Sequence, residues 1–239
     1  MKPQKWDSEN ISDQTGKVVI VTGSSSGLGY ETAKVLAHKN ATVVIAVRDE
    51  VKGNAVIEKI KVENPNADLH LMLVDLSSLA SVHTFAENVK KKFNKLDLLI
   101  NNAGVMNPPY SKTKDGFELQ FGTNHLGHFA LTGRLIDLIK NTPNSRIVNV
   151  SSTVHKIGNL NFEDLNWETR KYKKMRSYAD SKLANLYFTK ELQARLNLDS
   201  SNVIVASAHP GAAATGLSRH SLFFRMMGLF LQDSKMGAL

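Results

Sequence analysis

Tyr178 and Lys182 stand four residues apart in the run Tyr178-Ala-Asp-Ser-Lys182. On a helix that spacing puts both side chains on one face. A free tyrosine titrates at about 10, too high for a base near neutral pH. A neighbouring ammonium favours the tyrosinate and lowers that value. The pair therefore reads as a general acid or general base with its own tuning group. Taken alone, a tyrosine and a lysine at this spacing are equally ordinary surface neighbours, so the weight rests on what accompanies them.

A glycine-rich run, Thr22-Gly23-Ser24-Ser25-Ser26-Gly27-Leu28-Gly29, supplies a second function. Glycine permits positive φ and close backbone approach to a ligand. If a helix opens here, its free N–H groups and dipole favour a pyrophosphate. The hydroxyls of Ser24, Ser25 and Ser26 add hydrogen bonds. An ordinary Gly/Ser turn is the bland alternative; its place after a first strand favours dinucleotide binding. An acid at the end of the second strand would bind a ribose 2′-OH. Here Val47 is followed by Arg48, which pairs with a 2′-phosphate in a charge-assisted contact. NADP(H) is expected over NAD(H), and Asp49 is expected to point elsewhere.

These residues need a scaffold that brings a glycine turn and a distant helix face together. Short β-branched runs are predicted as strands over 17–22, 41–47, 69–74, 96–100, 146–150 and 203–207. Most are apolar on consecutive positions, as strands covered on both faces require. Helices are predicted over 27–39, 51–63, 79–93, 116–140 and 177–196. The alternation predicts an α/β fold: a doubly wound Rossmann-type parallel sheet with helices on both faces. No internal repeat or linker interrupts it, so residues 1–239 are expected to form a single dinucleotide-binding and catalytic domain.

Composition narrows the function classes. The 239 residues are 42% hydrophobic and 22% charged, enough for one sizeable core and against wholesale disorder. Without cysteine, disulfides, thiolate metal sites and cysteine nucleophiles are excluded. The net charge of +8 suits a phosphorylated ligand. Its densest run, Arg170 to Arg176, reads as a solvated loop or helix start, and no nucleic-acid recognition motif accompanies it. His125 and His128 lack a third ligand at recognisable spacing, so no metal is predicted and both read as packing or surface residues. His155 reads as a cleft or loop residue. No segment has the length and apolarity of a membrane span. The apolar patch Leu222 to Leu231 is too short to span. It reads as a buried helix, a substrate lid or an interfacial anchor. A cytoplasmic location is expected, with peripheral membrane contact and homo-oligomerisation left open.

Five motifs occur in order: Thr22 to Gly29, Asn101-Asn-Ala-Gly104, Ser151-Ser152, Tyr178 to Lys182 and His209-Pro-Gly211. In this the chain resembles the short-chain dehydrogenase/reductase family from about Lys17 to about Thr215, in particular its retinol dehydrogenase-like branch. Arg48-Asp49 before Lys52-Gly53, Gly122-Thr-Asn-His-Leu-Gly-His128 and Lys182-Leu-Ala-Asn185 carry the narrower likeness, with the long insert between Ser152 and Tyr178. The resemblance implies that Asp75 and Leu76 meet the adenine. It implies that Asn102, Ala103 and Gly104 border the adenosine side. Pro210, Gly211 and Thr215 would hold the nicotinamide end. It further implies that Ser152 donates to the substrate oxygen, that Lys182 also bonds the nicotinamide ribose, and that Asn124 holds a water linking Lys182 to solvent.

The expected activity is NADP(H)-dependent interconversion of a small hydrophobic alcohol and its aldehyde or ketone. Tyr178 would be the acid/base, with Lys182, Ser152 and Asn124 beside it. Two alternatives stand next to it: a non-catalytic NADP(H) sensor and an inactive truncated dehydrogenase. A sensor has no need of all four residues together. Members of the family usually continue through a further helix and a seventh strand, whereas this sequence stops at Leu239. The last strand is therefore expected to be missing.

Overall fold

A computed structural model describes residues 7–210. Their sheet is built from six parallel strands: β1 (Val18–Thr22), β2 (Thr42–Val47), β3 (Leu69–Leu73), β4 (Leu98–Asn101), β5 (Arg146–Val150) and β6 (Ile204–Ala208). The strand order is β3-β2-β1-β4-β5-β6. From β1 the chain winds outward to one side, then returns to place β4 against β1's other edge, so the topology reverses between β1 and β4. Ligands of such sheets bind outside the carboxyl ends of the strands at that reversal. Thr22 and Asn101, the last residues of β1 and β4, stand there.

The alternation of side chains along β1 sorts the core into two layers. Val18 and Ile20 join Val82, Phe85, Ala86 and Val89 of α3 (Leu79–Lys92) and Leu131, Leu135 and Ile139 of α5 (Gly127–Lys140). Val19 and Val21 pack on the opposite face with Ala33, Leu36 and Ala37 of α1 (Gly27–His38) and Val56 and Ile60 of α2 (Glu50–Glu63). Burying each larger aliphatic side chain contributes about 1.5–3 kcal/mol. The central strands β1 and β2, read from consecutive apolar runs, are thus covered on both faces, whereas β6 is largely exposed.

Two predicted helices differ in detail. The stretch 116–140 turns at Gly116, whose φ is 88°, and becomes helical at Leu119. Glu118 ends the turn by accepting the N–H groups of Gln120 and Phe121 at 3.0 and 2.7 Å. After α4 (Leu119–Phe121) the chain makes a π-turn over Gly122–Leu126 before α5. Such single-turn bulges concentrate at functional sites, and Asn124 lies in this one. The helix carrying Tyr178 and Lys182, α6 (Lys174–Leu198), starts three residues earlier than predicted.

The basic run is only partly solvated. The Arg170 guanidinium lies 3.6 Å from the Trp167 ring centroid and 3.5 Å from carboxylate oxygens of Asp164 and Asp180. Tyr172 donates to the buried Glu118 carboxylate at 2.8 Å. Stacking and burial take these two side chains inward, while Lys171, Lys173 and Lys174 remain exposed. The stretch on which the expected loss of the last strand bears, the apolar patch, Gly211 and Thr215 lie outside the described residues.

Candidate active site

The glycine turn forms one end of a cleft of about 710 Å³ above the carboxyl ends of the strands. Gly23, Ser25, Ser26, Gly27, Leu28 and Gly29 line it, and α1 begins at Gly27. Gly23 has φ 68° and lies so close to Ala103 that a Cβ would stand 2.8 Å from the Ala103 Cα. A Cβ on Gly29 would stand 2.5 Å from both Asn102 Nδ2 and the Gly23 carbonyl oxygen. Glycine is therefore required at both positions for the backbone to cross here. The result is a cradle of free N–H groups at a helix N-terminus, which fits a pyrophosphate.

The side walls carry six more of the expected cofactor residues. Arg48, Asp75, Leu76, Asn102, Ala103 and Gly104 all line the cleft. Asp49 accepts the Lys52 N–H at 3.1 Å and caps α2, as expected of a residue pointing elsewhere. Asp75 accepts from Ser77 Oγ at 2.6 Å and faces Lys114 Nζ at 3.2 Å. These contacts outweigh its burial and hold the carboxyl below its ordinary value. Pro210 follows β6 by two residues and is not among the residues that line the cleft.

The proton-transfer candidates sit behind the wall at Gly104. A Cβ there would be 3.1 Å from Asn124 Oδ1 and 3.8 Å from Lys182 Nζ. Lys182 Nζ lies 5.6 Å from the Tyr178 ring centroid, and both residues are almost fully buried. The helical spacing therefore does bring the pair together. Lys182 donates to the Val150 carbonyl at 3.0 Å. Burial, with no carboxylate nearby to offset it, drives its amine down to about 8.

Tyr178 is buried beside Ser152. Burial pushes the phenol up to about 12, and a hydrogen bond with Ser152 draws it only partly back. Removal from water disfavours the tyrosinate, and this is the larger of the two effects. Ser152 itself caps the short 3-10 helix Thr153–Ile157. Ser151 is bound to the Lys182 carbonyl at 2.9 Å.

Asn124 links two walls. Its Oδ1 accepts the Val105 N–H at 2.8 Å. Both its amide protons are committed, to the Val105 carbonyl and to Ser181 Oγ, each at 3.0 Å. The amide thus acts as a brace between the loop after β4 and α6.

Several participants carry no signal in the sequence. Thr22 Oγ1 accepts the N–H groups of Asn102 and Ala103 at 2.9 and 3.0 Å and fixes the wall loop. Asn185 Nδ2 reaches the Asn124 and Val150 carbonyls at 3.2 and 3.3 Å. Gln120 ties Asn107 to Lys174 across the cleft's other end. His125 meets Asn185 Oδ1 at 3.1 Å, and His155 meets the Ser152 carbonyl at 2.7 Å.

Fold and site together define a nucleotide-binding α/β protein with a buried tyrosine–lysine pair. The short chain dehydrogenase profile matches residues 17–222, and the chain belongs to that family. It is 47% identical over 206 residues to retinol dehydrogenase 13 of Homo sapiens, covering 86% of this chain and 62% of that protein. It is 44% identical over 227 residues to retinol dehydrogenase 12 of Homo sapiens, covering 93% and 71%. Among solved structures, a protein from Mycobacterium paratuberculosis superposes with a TM-score of 0.81 at 41% identity, covering 98% of this chain and 78% of that one.

Proposed function

We propose that this chain is an NADP(H)-dependent oxidoreductase that interconverts a hydrophobic alcohol and its aldehyde or ketone. The supporting observation is the packing of Ser152, Tyr178 and Lys182 behind one wall of a cleft whose far end is the glycine cradle and Arg48. When bound, the nicotinamide supplies the hydride. Everything else falls to the protein's own side chains.

The glycine cradle holds the pyrophosphate and Arg48 the 2′-phosphate. Asp75 and Leu76 border the adenine, and Asn102 to Gly104 form the adenosine wall. Pro210, with Gly211 and Thr215 beyond it in sequence, bounds the nicotinamide end. Ser152 orients the substrate oxygen. Tyr178, held as the neutral phenol by burial, gives that oxygen a proton during reduction and recovers it during oxidation. Among the described residues Lys182 Nζ donates to one acceptor, the Val150 carbonyl, so its remaining protons are available to the ribose and the phenol. Asn124 positions the wall. The names of the relatives make retinal and retinol the first substrates to try.

The test is a panel of retinoid, aryl and alkyl carbonyls, with NADPH consumption followed for the full chain and for Tyr178→Phe. Turnover by the parent and its loss in the variant, with NADPH still bound, supports the reading. NADPH binding without turnover of any carbonyl favours the sensor. Equal rates from both proteins remove Tyr178 as the proton donor.

A further inference from the structure

His128 lies one helical turn after Asn124 and is 2% exposed. Its Nδ1 is 3.0 Å from the Asn124 carbonyl oxygen, and its Nε2 is 2.9 Å from Thr22 Oγ1. The partners decide where its proton sits. A carbonyl oxygen only accepts, so Nδ1 carries the hydrogen. The Thr22 hydroxyl accepts from the Ala103 N–H and from the Asn102 N–H, which it shares with the Ile100 carbonyl, so both its lone pairs face donors. Its single proton then faces Nε2 at 2.9 Å, with the Ile100 carbonyl more distant at 3.3 Å. A bare Nε2 receives that proton. An imidazolium would instead press an N–H against a hydroxyl with no lone pair to spare.

We propose that His128 is a positioning residue: as a neutral imidazole protonated on Nδ1, it locks the Asn102–Gly104 wall of the cleft to the Asn124 carbonyl. One arm runs through Thr22 to Asn102 and Ala103, which line the cleft. The other ends on the Asn124 carbonyl. Asn185 Nδ2 also bonds that oxygen and reaches the Val150 carbonyl, the acceptor of Lys182 Nζ. A single ring thus sets the dinucleotide wall relative to the lysine. The inference rests on reading the cleft as a dinucleotide site, but its first test needs neither cofactor nor turnover.

That test is the long-range proton–nitrogen spectrum of the nitrogen-15-labelled full chain, with His128 assigned by the signal lost in His128→Gln. The expected result is an Nδ1–H tautomer that does not change across about pH 5.5 to 7.5, where free histidine titrates. An Nε2–H tautomer, or a ring titrating in that range, overturns the proposal.

Two half-variants then separate the arms. His128→Gln can place an oxygen near the Nε2 position and keep the Thr22 arm. His128→Asn can place an amide N–H near the Nδ1 position and keep the Asn124 arm. The Asn variant is expected to weaken NADPH binding about tenfold while keeping kcat within about twofold at saturating NADPH. The Gln variant is expected to do the reverse. Equal losses in both parameters for both variants, or no loss in either, indicate mere filling of space and overturn the positioning role. If no carbonyl is turned over, the proposed activity fails while the tautomer and the NADPH dissociation constants still decide this inference.

Discussion

The Asp49 carboxylate accepts the Lys52 backbone N–H at 3.1 Å, and this contact turns the acid away from the cleft that its neighbour Arg48 lines. The cap holds the Asp49 carboxyl below its ordinary value. Under the proposed function, an acid engaged as a helix cap beside a cleft-lining arginine would favour a 2′-phosphate over a free hydroxyl. Arg48→Ala is therefore expected to raise the NADPH dissociation constant about 10–100-fold and to leave NADH binding nearly unchanged. Fluorescence titration with both cofactors measures this. A parallel loss for both would show that Arg48 does not read the 2′-phosphate.

Proton transfer should carry the imprint of burial. The phenol keeps its proton up to about 12, so Tyr178 is competent as an acid throughout the neutral range. Lys182 loses its charge as pH rises through about 8. The reduction rate at saturating NADPH is expected to stay level below that value and to decline above it, through loss of the ammonium. Tyr178→Phe should lower kcat by about 10²–10⁴-fold, the usual contribution of a positioned acid. A pH–rate profile of the parent protein tests the first point, and a decline centred near pH 6 would remove Lys182 as its cause.

The strands were legible because consecutive apolar residues such as Val18-Val-Ile-Val21 have few other uses, and the glycine turn because Gly23 and Gly29 answer to backbone crossings that no side chain tolerates. The Tyr178–Lys182 contact was legible because helical spacing is local. The burial of Tyr178 was not, because it depends on everything packed above the helix. Nor was the bond between Thr22 and His128, which joins residues 106 positions apart. The π-turn around Asn124 also escaped, since a shift of one residue in hydrogen-bond register barely changes apolar periodicity. Gln120, Asn185 and His128 look in sequence like helix-interior polar residues, and only their partners distinguish a brace from a packing residue.

The buried amine of Lys182 has a cost that the ligand-free protein should reveal. Its value is about 8 when folded, against 10.5 for the ordinary side chain. The unfolded chain therefore binds the extra proton between these limits, and folding stability rises with pH across that window. Below about 8 the penalty is present in full, on the order of 3 kcal/mol. Tyr178 works in the opposite sense: folded near 12 and ordinarily 10.0, it removes stability as pH rises between those values. Lys182→Met is expected to make the ligand-free protein more stable at pH 7 by up to about 3 kcal/mol and to abolish the rise between 8 and 10.5. Denaturant melts of both proteins across pH check this, and parallel curves would refute it.

Under the proposed function, Gln120 offers a change at the end of the cleft opposite the glycine cradle, where the carbonyl would enter. Its Oε1 accepts the Asn107 N–H at 2.9 Å, and its Nε2 donates to the Lys174 carbonyl and to Tyr172 Oη, each at 2.8 Å. Asn107 and Lys174 both line the cleft, one on the loop after β4 and the other at the start of α6. The amide therefore sets the distance between two walls. Gln120→Met keeps comparable bulk but leaves the Asn107 N–H and the Lys174 carbonyl without this partner, a loss of about 3 kcal/mol in stability. None of its three contacts involves the glycine cradle or Arg48, so NADPH affinity should hold. KM for the carbonyl should rise, by about tenfold if the walls separate enough to lose one good contact. The decisive comparison is between the two constants in one preparation: loss of NADPH affinity in step with the rise in KM would mean that the amide supports the whole cleft and not its substrate end.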